Sequence, residues 1–236
     1  MTKKKRSLTE IGLSQKTDKA YWHGFTDVYE QWLSDYRKSA GAVMEIGIAN
    51  GSSLKMWKEW FENAQIVGVD ILDRSMMNEE RIQTAIMDQD SKSSIDRFLS
   101  KQSSQFDVII DDGSHISKHQ MTNLEYLWDH LKVGGLYIIE DLHTSYSTKN
   151  DQSACWTMET WSKDKAKGPI SQHLSPVFKK KIKEEVGNVG WWKRETLALR
   201  CWKCRSTNHQ SQTCSCGVDL INDGGGSITS FILKAG

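Results

Sequence analysis

The sequence has little proline, almost no net charge and no long hydrophobic run. Only two of its 236 residues are proline, and the formal net charge is +1, so no global field draws nucleic acid or an anionic membrane to the chain. No apolar stretch approaches the roughly 20 residues that a membrane helix needs. The basic start MTKKKR lacks the apolar segment of a secretory signal. These absences favour a cytoplasmic protein with no membrane partner and give no reason to expect a nucleic-acid partner.

Apolar residues make up 38% of the chain, which is enough for a core. Short apolar runs alternate with segments of helical periodicity. Strands are predicted at 41–47, 65–70, 81–87, 106–110, 134–139, 195–202 and 227–233. Helices are predicted at 18–37, 53–63, 95–99, 120–131 and 178–186. This alternation predicts an α/β fold, with a Rossmann-like central seven-stranded, mostly parallel sheet flanked by helices.

The remaining segments suggest a simple domain organisation. Residues 1–15 are polar and are expected to be flexible, and residues 16–236 are expected to form one domain. The lysine-rich stretch 150–190 is interpreted as a polar excursion over the active edge of the sheet, and 201–226 as a cysteine-rich insertion before the last strand.

Glycine marks the turn after the first predicted strand, in Glu45-Ile-Gly-Ile-Ala-Asn-Gly51. The turn lacks both the full G-x-G-x-x-G pattern and the Lys-Ser/Thr pair of a P-loop, which argues against dinucleotide and triphosphate sites. An acid ends the next strand, where it can accept hydrogen bonds from ribose hydroxyls, and an acid–amide pair ends the third. This combination is typical of S-adenosylmethionine (SAM) methyltransferases. The candidate cofactor-binding residues are therefore Glu45, Gly47, Gly51, Ser53, Asp70, Asp88 and Gln89.

Acids and histidines follow the fourth and fifth predicted strands, as DDGSH at 111–115 and EDLH at 140–143. If these strands are neighbours, several carboxylates converge, and they then need protonation or a divalent cation. Oxygen ligands favour Mg²⁺, with Mn²⁺ or Ca²⁺ as alternatives. His115 is a candidate general base because histidine titrates near neutral pH. The alternative for any single acid is a helix N-cap.

Together with Thr17-Asp-Lys19 and His23-Gly-Phe-Thr26, these segments resemble the metal-dependent sugar O-methyltransferases of macrolide biosynthesis, the mycinamicin and macrocin type. Cephalosporin-pathway and rhamnosyl methyltransferases share much of the pattern. The similarity spans residues 15–146.

The resemblance implies a class I SAM methyltransferase that uses Mg²⁺ to methylate a hydroxyl of a sugar or glycoside. By the same resemblance His115 is the general base, and Asp70 binds the ribose of SAM. The other implied roles are Mg²⁺ binding by Asp112, Glu140 and Asp141, and a place beside the cofactor for Asp111. The identity of the acceptor stays open.

Four cysteines lie close together as Cys201-Trp-Lys-Cys204 and Cys214-Ser-Cys216. Two such pairs fit a tetrahedral structural Zn²⁺ site. The alternative is a loop with free thiols.

Other functions remain open at this point. A catechol-type O-methyltransferase would use the same metal chemistry, with Trp156, Trp161, Trp191 and Trp192 as pocket walls. A degenerate methyltransferase fold would instead serve as a binding module, using the lysine-rich stretch 163–183 and the cysteine loop. Exposed aromatic residues in 20–36 would suit a homodimer.

Overall fold

The computed structural model describes residues 5–146, 153–195, 197–201, 203–207, 211–220 and 227–235, without the side chains of residues 145 and 146. The helices in this part of the chain are α1 (Leu8–Gln15), α2 (Asp18–Tyr21), α3 (Phe25–Leu33), α4 (Tyr36–Ser39), α5 (Ser52–Trp60), α6 (Lys92–Leu99), α7 (Ser117–Leu127), α8 (Ser153–Lys163) and α9 (Pro176–Glu185). The strands are β1 (Ala42–Ile46), β2 (Gln65–Asp70), β3 (Ile82–Ile86), β4 (Phe106–Asp111), β5 (Leu131–Ile139), β6 (Val186–Lys193) and β7 (Ile228–Lys234).

The seven strands of the described residues form one sheet in the order β3-β2-β1-β4-β5-β7-β6. Strands β1 to β5 pair in parallel, and β7 runs antiparallel to β5 and β6. One buried apolar cluster joins α1, α3 and α5 to one face of the sheet, and another joins α6, α7, α8 and α9 to the opposite face. The predicted Rossmann-like fold with a seven-stranded, mostly parallel sheet is confirmed.

The strand register brings the ends of β1, β4 and β5 to the same edge. Ile46 pairs with Asp111, and Asp111 pairs with Ile139. Beyond the paired residues, the Asp112 amide donates to the Ile46 carbonyl at 3.0 Å, and the Glu140 amide donates to the Asp111 carbonyl at 2.9 Å. The DDGSH and EDLH segments therefore leave the sheet side by side.

Leu8–Gln15, which lies within the range 1–15 that was expected to be flexible, forms the helix α1. The Ser7 hydroxyl accepts a hydrogen bond from the Glu10 amide, and the Glu10 carboxylate accepts one from the Ser7 amide. Leu8 and Ile11 are buried. The S-x-x-E capping box was the sequence signal for this helix.

The single helix predicted over 18–37 is divided into α2, α3 and α4. Gly24 separates the first two with a φ of 69°, a left-handed conformation that glycine adopts without strain. As a result α3 packs on the face of the sheet, while α2 and His23 lie at its carboxyl edge.

The prediction of a strand at 195–202 is wrong, because the described residues of that range, 195 and 197–201, form no strand. The sixth strand is β6, which begins directly after α9 and pairs with β7. It is an edge strand with mixed burial, so its sequence GNVGWWK lacks the alternation of a half-buried strand. The strand predicted at 227–233 corresponds to β7.

The stretch 150–190 also differs from the polar excursion that was expected. Within its described part, α8 and α9 bury Ala154, Met158, Trp161, Phe178 and Ile182 against the sheet. Lysines dominate the composition, but they occupy the other faces of these helices. The single domain over 16–236 stays a prediction. No helix of the described residues is long and apolar enough to cross a membrane.

Candidate active site

A cavity of about 250 Å³ lies at the carboxyl ends of the first strands. Its walls include Gly47, Asp70, Asp88, Gln89 and Gly113, so four of the seven candidate residues from the nucleotide-type pattern meet here. The Asp70 carboxylate accepts a hydrogen bond from the backbone amide two residues further on, at 3.0 Å. This contact fixes the carboxylate at the mouth of the cavity.

One hydrogen bond orients the Gln89 side chain, and its amide nitrogen remains available as a donor. Its Oε1 accepts a hydrogen bond from the Ser114 amide at 2.8 Å, while its buried Nε2 has no partner in the described part of the chain. His119 also lines this cavity, and its Nδ1 lies 2.8 Å from the Ser114 hydroxyl. Sequence reasoning missed His119, because nothing in its neighbours along the chain distinguishes it from a solvated histidine.

At Gly47 the loop after β1 lies against the DDGSH segment after β4. Its φ is 79°, and a Cβ at this position would stand 2.1 Å from the Asp112 carbonyl oxygen. Only a residue without a side chain fits between the first loop and DDGSH.

Four other predicted cofactor residues do not line this cavity. The buried Glu45 carboxylate accepts a hydrogen bond from the Ser53 hydroxyl at 2.7 Å, and Gly51 precedes α5 with a φ of 76°. Asp111 is fully buried and accepts a hydrogen bond from the Asn123 amide at 3.1 Å. Burial raises the pKa of Asp111 to about 6. The side chains of Glu45, Ser53 and Asp111 are therefore buried and do not contribute to the wall of this cavity.

A second cavity, of about 310 Å³, adjoins the first. The two share Gly47, Asp70 and Gly113 as wall residues. The other walls of the second cavity are Asp18, His23, Ala49, Asp112, His115, Glu140 and Asp141. One cavity therefore has the features of a nucleoside site, and its neighbour is rich in acids and histidines.

Asp112, His115 and Asp141 form a cluster in the second cavity. Each offers a ligand atom within 4.8 Å of the others. His115 Nε2 lies 3.7 Å from Asp141 Oδ2 and 4.0 Å from Asp112 Oδ1. The tertiary structure thus joins two segments that lie 26 residues or more apart in the sequence.

The donor set fits a divalent cation. The buried Oδ1 of Asp141 has no hydrogen-bond partner among the described residues, and the nearest imidazole nitrogens, of His143 and His23, are 3.5 and 3.6 Å away. Burial, with the charge of Asp112, raises the pKa of Asp141 to about 8, and burial lowers the pKa of His143 to about 4. A carboxylate oxygen that has no donor and lies near a second carboxylate is an arrangement that Mg²⁺ relieves.

The backbone of this cluster is strained. His115 and Asp141 have φ values of 57° and 52°, a region that costs residues other than glycine about 1–3 kcal/mol and is common at functional sites. The Thr144 hydroxyl lies 2.7 Å from the His115 carbonyl oxygen and 2.9 Å from that of Asp141. Thr144 therefore ties the two strained positions together.

Lys19 is the buried cation of the site. Its ammonium group lies 2.6 Å from Asp112 Oδ2, 2.8 Å from both oxygens of Glu140 and 3.3 Å from Glu45 Oε1. The Tyr29 hydroxyl also donates to Glu140. In the sequence, Lys19 stands out only as part of the Thr17-Asp-Lys19 segment. Its contacts with the three carboxylates depend on the fold.

Burial alone lowers the pKa of Lys19, but the three carboxylates around it outweigh this effect, and the net pKa lies well above its usual value. Lys19 is therefore charged. Both oxygens of Glu140 and Oδ2 of Asp112 contact this ammonium group, and all three predicted metal ligands line the second cavity.

The four clustered cysteines lie apart from this site but close to one another. Their sulfur atoms are within 4.8 Å of each other. The close pairing expected from the sequence is therefore present in the structure.

No family model matches the chain. The sequence is 40% identical over 151 residues to the mycinamicin VI 2''-O-methyltransferase of Micromonospora griseorubida, which covers 61% of this chain and 38% of that protein. It is 41% identical over 146 residues to the 8-demethyl-8-alpha-L-rhamnosyl tetracenomycin-C 2'-O-methyltransferase of Streptomyces olivaceus, covering 59% of this chain and 38% of that protein. The chain thus spans about two fifths of the length of these relatives.

Among solved structures, the chain resembles MycE, a methyltransferase of the mycinamycin biosynthetic pathway, in complex with Mg, SAH and mycinamycin VI. The TM-score is 0.70 at 26% identity, and the match covers 98% of this chain and 55% of MycE. The resemblance to macrolide sugar O-methyltransferases and the class I methyltransferase fold are confirmed.

Replacing Lys19 with Met tests the buried charge network. The variant leaves Glu45 and Glu140 buried without their cation, so we expect the free energy of unfolding to fall by about 3–5 kcal/mol. Urea denaturation measures this change. Lys55→Met on the exposed surface of α5 is the matched control and should change stability little. Equal stability of the two variants would contradict the role given to Lys19.

Proposed function

We propose that this protein transfers a methyl group from SAM to a hydroxyl of a sugar or glycoside in a Mg²⁺-dependent reaction. The relatives named above act on glycosylated small molecules, which supports a small-molecule acceptor. Because the chain covers only part of these relatives, its reaction and substrate are inferred from its own site as well as from the similarity.

The observation that carries the proposal is the adjacency of the two cavities. The first offers a carboxylate at Asp70 and a free amide donor at Gln89, which suit a ribose and an adenine edge. The second offers Asp112, His115 and Asp141. The two cavities share wall residues, so a cofactor bound in the first and an acceptor bound in the second would lie next to each other.

We assign to His115 the role of taking the acceptor's proton. As the hydroxyl oxygen attacks the methyl carbon, the carbon–sulfur bond breaks and its electron pair stays on sulfur. The hydroxyl proton passes to the imidazole Nε2, which faces the same cavity as Asp112 and Asp141. The rest of the barrier is lowered by alignment of the two reactants.

Asp112 and Asp141, with Glu140 behind them, are the residues that would hold the cation. A bound Mg²⁺ supplies Lewis-acid polarisation of the acceptor hydroxyl. The positive charge of Lys19 offsets part of the negative charge of Glu45, Asp112 and Glu140, which reduces the net negative charge next to the cation site.

The other hypotheses have less support from the structure. The four tryptophans suggested for a catechol pocket line neither cavity: Trp161 is buried in the core, and Trp156 is exposed. A pure binding module would not need the strained acid–histidine cluster. A homodimer stays a prediction.

A screen of SAM consumption over sugars, glycosides and catechols with Mg²⁺ present would identify the acceptor class.

His115→Ala should abolish methyl transfer while leaving SAM binding intact, because the imidazole faces the acceptor side and lies outside the nucleoside cavity. Turnover assays and calorimetric titration with SAM measure the two effects. His130→Ala, directly before β5 at the opposite edge of the sheet, is the control and should keep full activity. If His115→Ala stays fully active, another group must act as the base.

Asp141→Asn should weaken Mg²⁺ binding by roughly tenfold or more, since it removes a charged ligand from a small donor set. Titration of Mg²⁺ into the protein saturated with S-adenosylhomocysteine gives the affinity without turnover. Asp129→Asn, at the far edge, is the matched control. Unchanged Mg²⁺ affinity in Asp141→Asn would place the cation elsewhere.

Asp70→Asn should weaken SAM binding by about tenfold, because an amide cannot accept from both ribose hydroxyls. Calorimetry with SAM measures the loss. The control is Asp73→Asn, an exposed acid on the same loop whose carboxylate accepts only a local hydrogen bond from the Ser75 amide. Equal affinities of the two variants would remove Asp70 from the nucleoside site.

A further inference from the structure

The loop that precedes β7 contains a second built site, formed by four cysteines. We name residues 197–201, 203–207 and 211–220 the cysteine module. Two tight turns face each other in it. In the first, the Arg205 amide donates to the Cys201 carbonyl at 2.9 Å; in the second, the Gly217 amide donates to the Cys214 carbonyl at 2.8 Å. Arg205 and Gly217 have positive φ values of 64° and 87°, which close these turns.

Each turn presents two thiols to the other turn. Cys201 Sγ lies 3.6 Å from Cys216 Sγ, and Cys204 Sγ lies 3.5 Å from Cys214 Sγ. All four sulfurs fall within 4.8 Å of one another. A zinc–sulfur bond of about 2.3 Å in a tetrahedron requires sulfur separations of about 3.8 Å. The two shortest sulfur separations, 3.5 and 3.6 Å, lie close to this value and are far longer than the about 2.05 Å of a disulfide.

The module has too small a core to order itself by apolar burial. Its buried cluster consists of Ala198, Cys201, Cys214, Val218 and Leu220. Two of these five are cysteines of the site. Small modules of this kind usually need a metal or disulfides to fold.

The module packs against the segment that enters the active site. Trp22 packs on its apolar cluster. The Arg200 amide donates to the Tyr21 carbonyl at 2.9 Å, and an Arg205 guanidinium nitrogen donates to the Tyr21 hydroxyl at 3.1 Å. His23, which follows Trp22, lines the second cavity. Order in the module is thereby coupled to order at this wall.

We propose that the cysteine module binds one structural Zn²⁺ through the Sγ atoms of Cys201, Cys204, Cys214 and Cys216, and that the ion holds segment 21–23 at the wall of the active site. Four thiolates in a tetrahedron favour zinc over the oxygen-seeking Mg²⁺ of the neighbouring site. The proposal does not depend on the methyl-transfer reaction, because it rests on the cysteine geometry and on the contacts of the module with residues 21 and 22.

Metal analysis of protein purified without chelator or added zinc tests the first part. We expect one zinc per chain in the wild type. Cys204→Ser/Cys216→Ser replaces the two least buried ligands and should lose the zinc. Cys155→Ser, a buried cysteine of α8 outside the cluster, should keep it. A wild type without zinc, or equal zinc in all three proteins, would overturn the proposal.

A second measurement uses only the wild-type sequence, so it stands even if the double variant fails to fold. After exchange of the metal for Co²⁺, the protein should show thiolate-to-cobalt charge-transfer absorption and the intense visible bands of a tetrahedral site. Absence of these bands would contradict a four-thiolate site. So would an intact mass lighter by four hydrogen atoms, which indicates two disulfides.

Hydrogen exchange tests the coupling to the active site. Removal of zinc with a mercurial and a chelator should speed amide exchange in residues 18–24 by about tenfold, while exchange in β3 and α6 stays unchanged. Faster exchange confined to the module would show that the ion does not hold segment 21–23. SAM affinity, measured in parallel, separates this result from any failure of the proposed reaction.

Discussion

The structure depends on one buried ion-pair network, the ammonium of Lys19 among Glu45, Asp112 and Glu140. The three carboxylates come from the ends of β1, β4 and β5, which the register brings to one edge. Placed there without a cation, they would repel one another in a low-dielectric environment. Lys19 makes this convergence possible, and it also attaches α2 to the sheet. The position of α2 in turn determines where His23, a wall residue of the second cavity, lies.

The carboxylates at this edge have different tasks according to their burial. Glu45 and Asp111 are fully buried, and hydrogen bonds from Ser53 and Asn123 hold them behind the loops. Asp70 faces the first cavity. Asp112 and Asp141 face the second, where Asp141 Oδ1 has no hydrogen-bond partner among the described residues. These carboxylates thus lie at neighbouring strand ends, and Gly47 lines both cavities.

Much of this arrangement was predictable. The alternating strands and helices predicted the sheet, and DDGSH and EDLH predicted a shared acid–histidine site. Other features were not predictable, for identifiable reasons. The strand over 186–193 lies at an edge, and its glycines and tryptophans do not alternate in polarity. The role of Lys19 depends on contacts with residues up to 121 positions away. Asp111 and Asp112 are adjacent in sequence, and only the pleat of β4 sends one into the core and the other into the cavity.

The sequence by itself determined the fold class, the residue types at the active edge and the nearness of the cysteines along the chain, because these follow from local periodicity, turn chemistry and spacing. Only the tertiary structure decided which acids face a ligand, which cation neutralises the rest and what the cysteine module touches. Those outcomes depend on strand register and helix packing, which bring together residues from distant parts of the chain. A side chain's burial and charge environment, and hence its chemistry, are set by that convergence.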